Sequence, residues 1–127
     1  MVFDYKLESL GLGHGDSSLR LKFLEIYTKM EKFRDLGLCE HVLKVISSKK
    51  FTKPSEIQEK TIPLVLEGKD IIAGSATGSG KTLAFGAGMI KNVEKGKGLQ
   101  GLILTPTREL AEQVAEALAE FAYYKGL

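Results

Sequence analysis

The segment with the clearest chemical potential is the glycine-rich stretch GSATGSGKTLAF, residues 74–85. Gly78 and Gly80 leave the backbone N–H groups around them free to point inward at the start of a helix, where the helix dipole attracts anions. Lys81 can then reach the β- and γ-phosphates of a nucleotide, and the Thr82 hydroxyl can ligate Mg²⁺. The sequence therefore predicts a phosphate-binding loop. The alternative is a Gly/Ser turn in which Lys81 is merely solvated.

The spacing of this loop departs from the usual pattern, which places a glycine four residues before the Gly-Lys-Thr triplet. Ser75 occupies that position, and Gly74 stands one place too early. A small residue suffices at position 75 if its φ is negative, because only a positive φ demands glycine. We therefore expect Gly74 to end a strand and the working loop to begin at Ser75.

The elements that must position the loop follow a βαβ order. The segment KDIIAGS, 69–75, reads as a short strand, residues 81–94 as a helix, and Leu102 to Thr105 as a second strand. This order predicts an α/β fold with parallel strands flanked by helices. A last helix is predicted from Thr107 to Tyr124. Because only two strands are found, an unpaired sheet edge and self-association are expected.

Helices are also predicted before the loop. The first begins near Asp16 or Ser17 and ends before Gly37, with an apolar stripe at spacings of three and four that consists of Leu19, Phe23, Ile26, Tyr27, Met30 and Phe33. A second helix is expected from Glu40 to Ser48. A third should begin after Ser55, which with Gln58 fits a capping box, and Pro63 predicts a kink or an early end of that helix.

Three segments together resemble a known family. FTKPSEIQ (51–58), SATGSGKT (75–82) and PTRELAEQV (106–114) resemble the Q motif, motif I and motif Ia of the DEAD-box ATP-dependent RNA helicases, in the family's order. The resemblance covers about residues 32–126. It implies an incomplete RecA-like P-loop domain over residues 30–127, with the Q motif at about 31–59, motif I at 75–82 and motif Ia at 106–111. Residues 1–29 would be a helical N-terminal extension of unknown role.

The resemblance also implies roles for the nucleotide-facing residues. The resemblance matches Phe33 to the family's isolated phenylalanine that stacks on adenine. This match favours a first helix that ends near Met30 and leaves Phe33 in an extended segment. The apolar stripe instead favours Phe33 in the core. Gln58 is implied to bind the adenine edge, a role compatible with the capping box. The implied ATP-binding set is Phe33, Phe51, Gln58, Ser75, Ala76, Thr77, Gly78, Ser79, Gly80, Lys81 and Thr82, with Lys81 and Thr82 catalytic and Thr82 the Mg²⁺ ligand.

On the RNA side, the resemblance places Pro106, Thr107 and Arg108 near the sugar-phosphate backbone. A helix N-terminus with a hydroxyl and a guanidinium suits a phosphate, whatever the base. The alternative for Arg108 is a surface ion pair with Glu112, four residues further along the helix.

Composition limits the remaining functions. A net charge of +2 gives only weak general attraction to nucleic acid, and the single cysteine, Cys39, excludes an internal disulfide. The apolar runs are too short to cross a bilayer, so we expect no membrane partner and a cytoplasmic protein.

We expect the ATP-binding portion of a DEAD-box RNA helicase, which couples ATP binding and hydrolysis to RNA unwinding or remodelling. Asp-Glu-Ala-Asp does not occur in the sequence, and the family's arginine finger belongs to a second RecA-like domain, so the 127 residues alone should hydrolyse ATP hardly at all. One alternative is a small non-catalytic nucleotide- or RNA-binding module that pairs with another chain. Another is a related helicase that acts on DNA, which the Q motif disfavours.

Overall fold

A computed structural model of the chain describes residues 17–49 and 51–127. The predicted cap at Asp16 and residues 1–15 lie outside these ranges. Within them the backbone forms α-helices joined by loops and two longer non-helical segments. The helices are α1 (Ser17–Asp35), α2 (Glu40–Ser48), α3 (Glu56–Leu66), α4 (Lys81–Asn92) and α5 (Arg108–Ala122), and a 3₁₀ turn, Tyr123–Lys125, follows α5.

The two segments predicted as strands, 69–75 and 102–105, are non-helical, and neither pairs with another strand within the described ranges. The predicted parallel sheet is therefore not observed in this part of the chain. Side chains nevertheless alternate as in a strand. Leu102 and Leu104 are 73% and 85% exposed, whereas Ile103 between them is partly covered by the helices. The segment has the side-chain pattern of a strand without a hydrogen-bonded neighbour.

Helix α1 continues through Phe33 to Asp35. The prediction that the helix ends near Met30 and leaves Phe33 in an extended segment is therefore wrong. Phe33 is 0% exposed and meets the Phe51 ring edge-on, with 6.2 Å between ring centroids. Burial of a large aromatic side chain stabilises the longer helix, as the apolar stripe indicated.

Among the members of the apolar stripe of α1 whose side chains the structure describes, burial increases toward the C-terminal end. Leu19 and Ile26 are exposed, whereas Met30 packs against the core. The prediction of one buried stripe along the whole helix is therefore wrong for its first turns. The predicted boundary between residues 29 and 30 falls inside this continuous helix.

The core lies among the helices. Helix α2 has the predicted bounds, and α4 packs between α3 and α5. The buried apolar side chains are Phe33, Leu38, Val42, Leu43, Val45, Ile46, Ile62, Leu83, Ala84, Ala87, Ile90, Phe121 and Ala122. This packing fixes the direction of α4, the helix that follows the phosphate loop.

Two glycines let α4 approach its neighbours closely. A Cβ atom added at Gly88 would overlap Val65 of α3, and one added at Gly86 would overlap the end of Leu118 of α5. At the far end of α4, Lys125 Nζ donates to the carbonyl oxygens of Ile90 and Lys91. Helix α4 therefore packs against α3 and α5 and accepts hydrogen bonds at its C-terminus. These contacts fix the position of its N-terminus.

Helix α3 begins at the predicted capping box and continues past Pro63 to Leu66. The early end that Pro63 predicted is not seen. No helix in residues 17–49 or 51–127 combines the length and hydrophobicity that a membrane span requires.

Candidate nucleotide-binding site

The phosphate loop adopts the backbone that its glycines allow. Gly78 and Gly80 have φ values of +78° and +84°, in the left-handed region that disfavours other residues. In the part of the chain that the structure describes, every residue with positive φ is a glycine. The φ of Ser75 is therefore not positive, which confirms that position 75 tolerates a serine. Gly80 caps α4, so the loop leads directly into that helix N-terminus.

The loop is closed by polar contacts between its two ends. Lys81 Nζ donates to the Ser75 carbonyl oxygen at 2.7 Å, and the Ser75 and Ser79 hydroxyl oxygens are 2.5 Å apart. The Ser79 N–H also donates to the Ala76 carbonyl oxygen at 3.3 Å. An ammonium has three N–H donors, so the exposed Lys81 side chain retains donors for an anion. The Lys81 ammonium therefore lies across the opening of the loop.

Gln58 connects the start of α3 to the phosphate loop. Its Oε1 accepts from the Ser55 N–H at 3.0 Å and its own backbone N–H donates to Ser55 Oγ at 3.4 Å, which confirms the capping box. Its Nε2 donates to the Gly80 carbonyl oxygen at 3.3 Å. The residue is only 2% exposed. A buried carboxamide therefore bridges two helix N-termini.

Gly80 is required at this junction for two separate reasons. Its φ is positive, and a Cβ atom at this position would overlap Gln58 Nε2. Sequence reasoning identified both Gln58 and Gly80 but missed the contact between them. A separation of 22 positions carries no local signal for such a bond.

The two phenylalanines of the implied ATP-binding set differ in exposure. Phe33 has no exposed ring face, because its exposed fraction is 0%. Stacking of Phe33 on adenine would require this part of the core to open. Phe51 is partly exposed and lines a cavity of about 360 Å³ together with Ile26 and Lys29 of α1.

A larger cavity, about 570 Å³, lies beside the start of α4. Lys81 and Thr82 line it from the loop side, and Thr105 and Pro106 line it from the segment before α5. Most of its remaining lining is apolar, and it comes from α3, α4 and α5 and from the non-helical segments at 69–73 and 103–104. The fold therefore brings the end of motif I and the first residue of motif Ia to one cavity.

The start of α5 is ordered by local hydrogen bonds. Thr107 Oγ1 accepts from the Leu110 N–H at 3.2 Å, and Thr105 Oγ1 donates to the Thr107 carbonyl oxygen at 2.8 Å. Arg108 is exposed, and it forms no ion pair with Glu112 in the described structure. The guanidinium therefore remains available at a helix N-terminus.

A family model, DEAD/DEAH box helicase, matches residues 55–127, which is more than half of the chain. The chain belongs to this helicase family. It is 50% identical over 86 residues to the DEAD-box ATP-dependent RNA helicase RhpA of Helicobacter pylori, which covers 68% of the chain and 18% of RhpA. It is 50% identical over 97 residues to the ATP-dependent RNA helicase CshA of Listeria monocytogenes, which covers 76% of the chain and 19% of CshA.

A solved structure supports the same family fold. The structure of S. cerevisiae Dbp5 bound to RNA and ADP BeF3 matches with a TM-score of 0.68 and 41% sequence identity, over 73% of this chain and 25% of that chain. This likeness indicates a RecA-like fold. The present chain of 127 residues spans about a fifth of the length of the curated relatives that it matches.

In this helicase family member, the structure brings most of the predicted nucleotide-facing residues together. Gln58 of α3 is hydrogen-bonded to Gly80, and Lys81 to Ser75. Thr82 and Pro106 line the larger cavity, whereas Thr107 and Arg108 do not. Phe33 is buried in the core against Phe51.

Proposed function

We propose that these residues form the ATP-binding portion of a DEAD-box RNA helicase that couples ATP binding and hydrolysis to RNA duplex unwinding or remodelling. The observation that carries the proposal is the hydrogen bond from Gln58 Nε2 to the Gly80 carbonyl oxygen. This hydrogen bond connects Gln58, the proposed ligand of the adenine base, to the loop that is proposed to bind the phosphates. The names of RhpA and CshA, both ATP-dependent RNA helicases, support the activity.

In the proposed nucleotide site, two groups of residues bind different parts of ATP. Residues 75–82 receive the phosphates through the backbone N–H groups of the loop, the dipole of α4 and the Lys81 ammonium. Gln58 receives the base. A carboxamide has two N–H donors and two acceptor lone pairs, and the capping box and Gly80 use one of each. The remaining donor and acceptor match the N7 and N6 groups of adenine, and because Gln58 is only 2% exposed, the residues that cover it must move for the base to reach them.

Thr82 is the proposed Mg²⁺ ligand of this chain. It is the second residue of α4 and is partly buried beside the loop, so a cation bound to the phosphates would lie within its reach. In residues 17–49 and 51–127, no three His, Cys, Asp or Glu side chains converge to hold a metal ion. Thr82 would hold the ion together with phosphate oxygens of the nucleotide and waters, which are the oxygen ligands that Mg²⁺ prefers. When bound, the ion neutralises charge on the β- and γ-phosphates.

The proposed RNA contact lies at the start of α5. Arg108 is exposed and unpaired with Glu112, and Pro106 and Thr107 precede it at the helix N-terminus. Such a group holds a phosphate without reading the base, which suits sequence-independent binding. A second RecA-like domain is the further proposed partner. The exposed Leu102 and Leu104 also support self-association of this chain through its unpaired segment.

The proposal is tested by measuring nucleotide binding and phosphate release on this chain, with and without single-stranded RNA. We expect preferential binding of ATP over GTP and phosphate release close to the background rate in both conditions. The low rate is expected because an arginine finger alone contributes about 10³–10⁵ to the rate in related enzymes. Equal binding of ATP and GTP would contradict the assignment of Gln58 and the loop.

A further inference from the structure

Ser75 makes a contact that the usual residues at its position cannot make. Its hydroxyl oxygen lies 2.5 Å from that of Ser79, across the loop, and both side chains are partly buried. Its carbonyl oxygen accepts from Lys81 Nζ at 2.7 Å. A glycine or alanine at position 75 would retain the carbonyl contact and lose the hydroxyl contact. The hydroxyl pair is therefore a feature of this chain's own loop.

We propose that Ser75 is a positioning residue of the phosphate loop, which acts by hydrogen-bonding Ser79. The inference rests on the proposed function, because it concerns the same phosphate site. The two hydroxyls join the first residue of the loop to the residue before Gly80, and the three residues between Ser75 and Ser79 include Gly78. Glycine has the largest freedom to lose on ordering. The hydrogen bond between the two hydroxyls, in addition to the contact of Lys81 with the Ser75 carbonyl oxygen, restricts the conformational freedom of the Gly78 backbone.

Restriction of the loop in the free protein favours phosphate binding. The backbone N–H groups that receive a phosphate must be ordered when the ligand binds, and any ordering already present lowers that cost. The hydroxyl pair holds Ser79 next to Gly80, whose carbonyl is fixed by Gln58. Ser79 and Gly80 are then both held before the nucleotide arrives.

The first experiment compares Ser75→Ala with the unchanged chain for ATP, ADP and adenosine. One net hydrogen bond corresponds to a loss of about five-fold in affinity, expected for ATP and ADP. Adenosine has no phosphate, so its affinity should not change. A loss of equal size for adenosine, or no loss for ATP, would overturn the inference.

A double-mutant cycle tests the pairing itself. Ser79→Ala should reduce ATP affinity by about the same factor as Ser75→Ala, and the double variant should lose no more than either single variant. Losses that multiply would show that the two hydroxyls act separately and would contradict the inference.

A measurement without nucleotide separates this inference from the proposed function. Amide hydrogen exchange at Ser79 and Gly80 should be faster in Ser75→Ala than in the unchanged chain, while exchange in α2 stays the same. Unchanged exchange at the loop would overturn the inference. If the unchanged chain binds ATP no more tightly than adenosine, the proposed phosphate site fails. If it does prefer ATP and Ser75→Ala binds ATP equally well, the inference alone fails.

Discussion

Replacement of Lys81 by alanine is expected to lower the affinity of this chain for ATP by about 100-fold, since hydrogen bonds from a charged donor to a charged acceptor are among the strongest in proteins. Lys81 is exposed, and its ammonium already lies across the loop at the Ser75 carbonyl oxygen. A phosphate bound to the loop would meet this group directly. Isothermal titration with ATP and Mg²⁺ measures the change.

The matched control for Lys81 is Lys95→Ala. Lys95 is also exposed but lies in the loop after α4, away from the helix N-terminus. We expect its replacement to leave ATP affinity within about two-fold, because an exposed charge at a distance is screened by salt. Equal affinities for Lys81→Ala and the unchanged chain would show that the loop does not bind phosphate.

Replacement of Gln58 by alanine is expected to lower the free energy of unfolding by about 2–4 kcal/mol, because each buried polar group left without a partner costs about 1–3 kcal/mol. The change would unpair the Ser55 N–H and the Gly80 carbonyl oxygen together. Urea denaturation followed by circular dichroism measures the loss. The same variant should lose its preference for ATP over GTP.

Gln58→Glu separates the two contacts of this side chain. A carboxylate can still accept from the Ser55 N–H, but it has no N–H to donate to the Gly80 carbonyl oxygen. We expect a loss of stability at neutral pH at least as large as in Gln58→Ala, because a carboxylate that is almost fully buried would face the Gly80 carbonyl oxygen without a donor between them, and we expect the same loss of adenine preference. The control is Gln113→Ala, on the exposed side of α5, which should change the free energy of unfolding by no more than about 0.5 kcal/mol. A Gln58→Ala variant as stable as Gln113→Ala would contradict the bridging role.

The features that the sequence predicted correctly depend on residues close together in the chain. The capping box of Ser55 and Gln58 spans four positions and forms as expected. The turn at residues 78–80 depends on glycines whose positive φ few other residues adopt. The bounds of α2 follow from an apolar pattern that the core then buries. In each case, the residues that determine the local structure lie within a few positions of one another in the sequence.

The features that could not be predicted depend on packing between distant segments. The bond between Gln58 and Gly80 joins two helix starts that only the packing of α3 on α4 brings together. Phe33 was placed by resemblance outside the helix, yet its contact with Phe51 keeps it in the core. Strand pairing is equally non-local, since a strand needs a neighbour to supply its hydrogen bonds. The alternation of Leu102, Ile103 and Leu104 predicts such a strand but not its partner.

The central claim is that Gln58 and the loop from Ser75 to Thr82 form one adenine nucleotide site. Amide NMR spectra of the chain, recorded during titration with Mg²⁺ and either ATP or GTP, test this claim most directly. We expect ATP to shift the loop amides of Gly78, Gly80 and Lys81 together with the Gln58 side-chain amide, whereas GTP should leave the Gln58 signal nearly unchanged. Shifts of other amides by ATP, with the loop and Gln58 signals in place, would contradict a shared adenine nucleotide site.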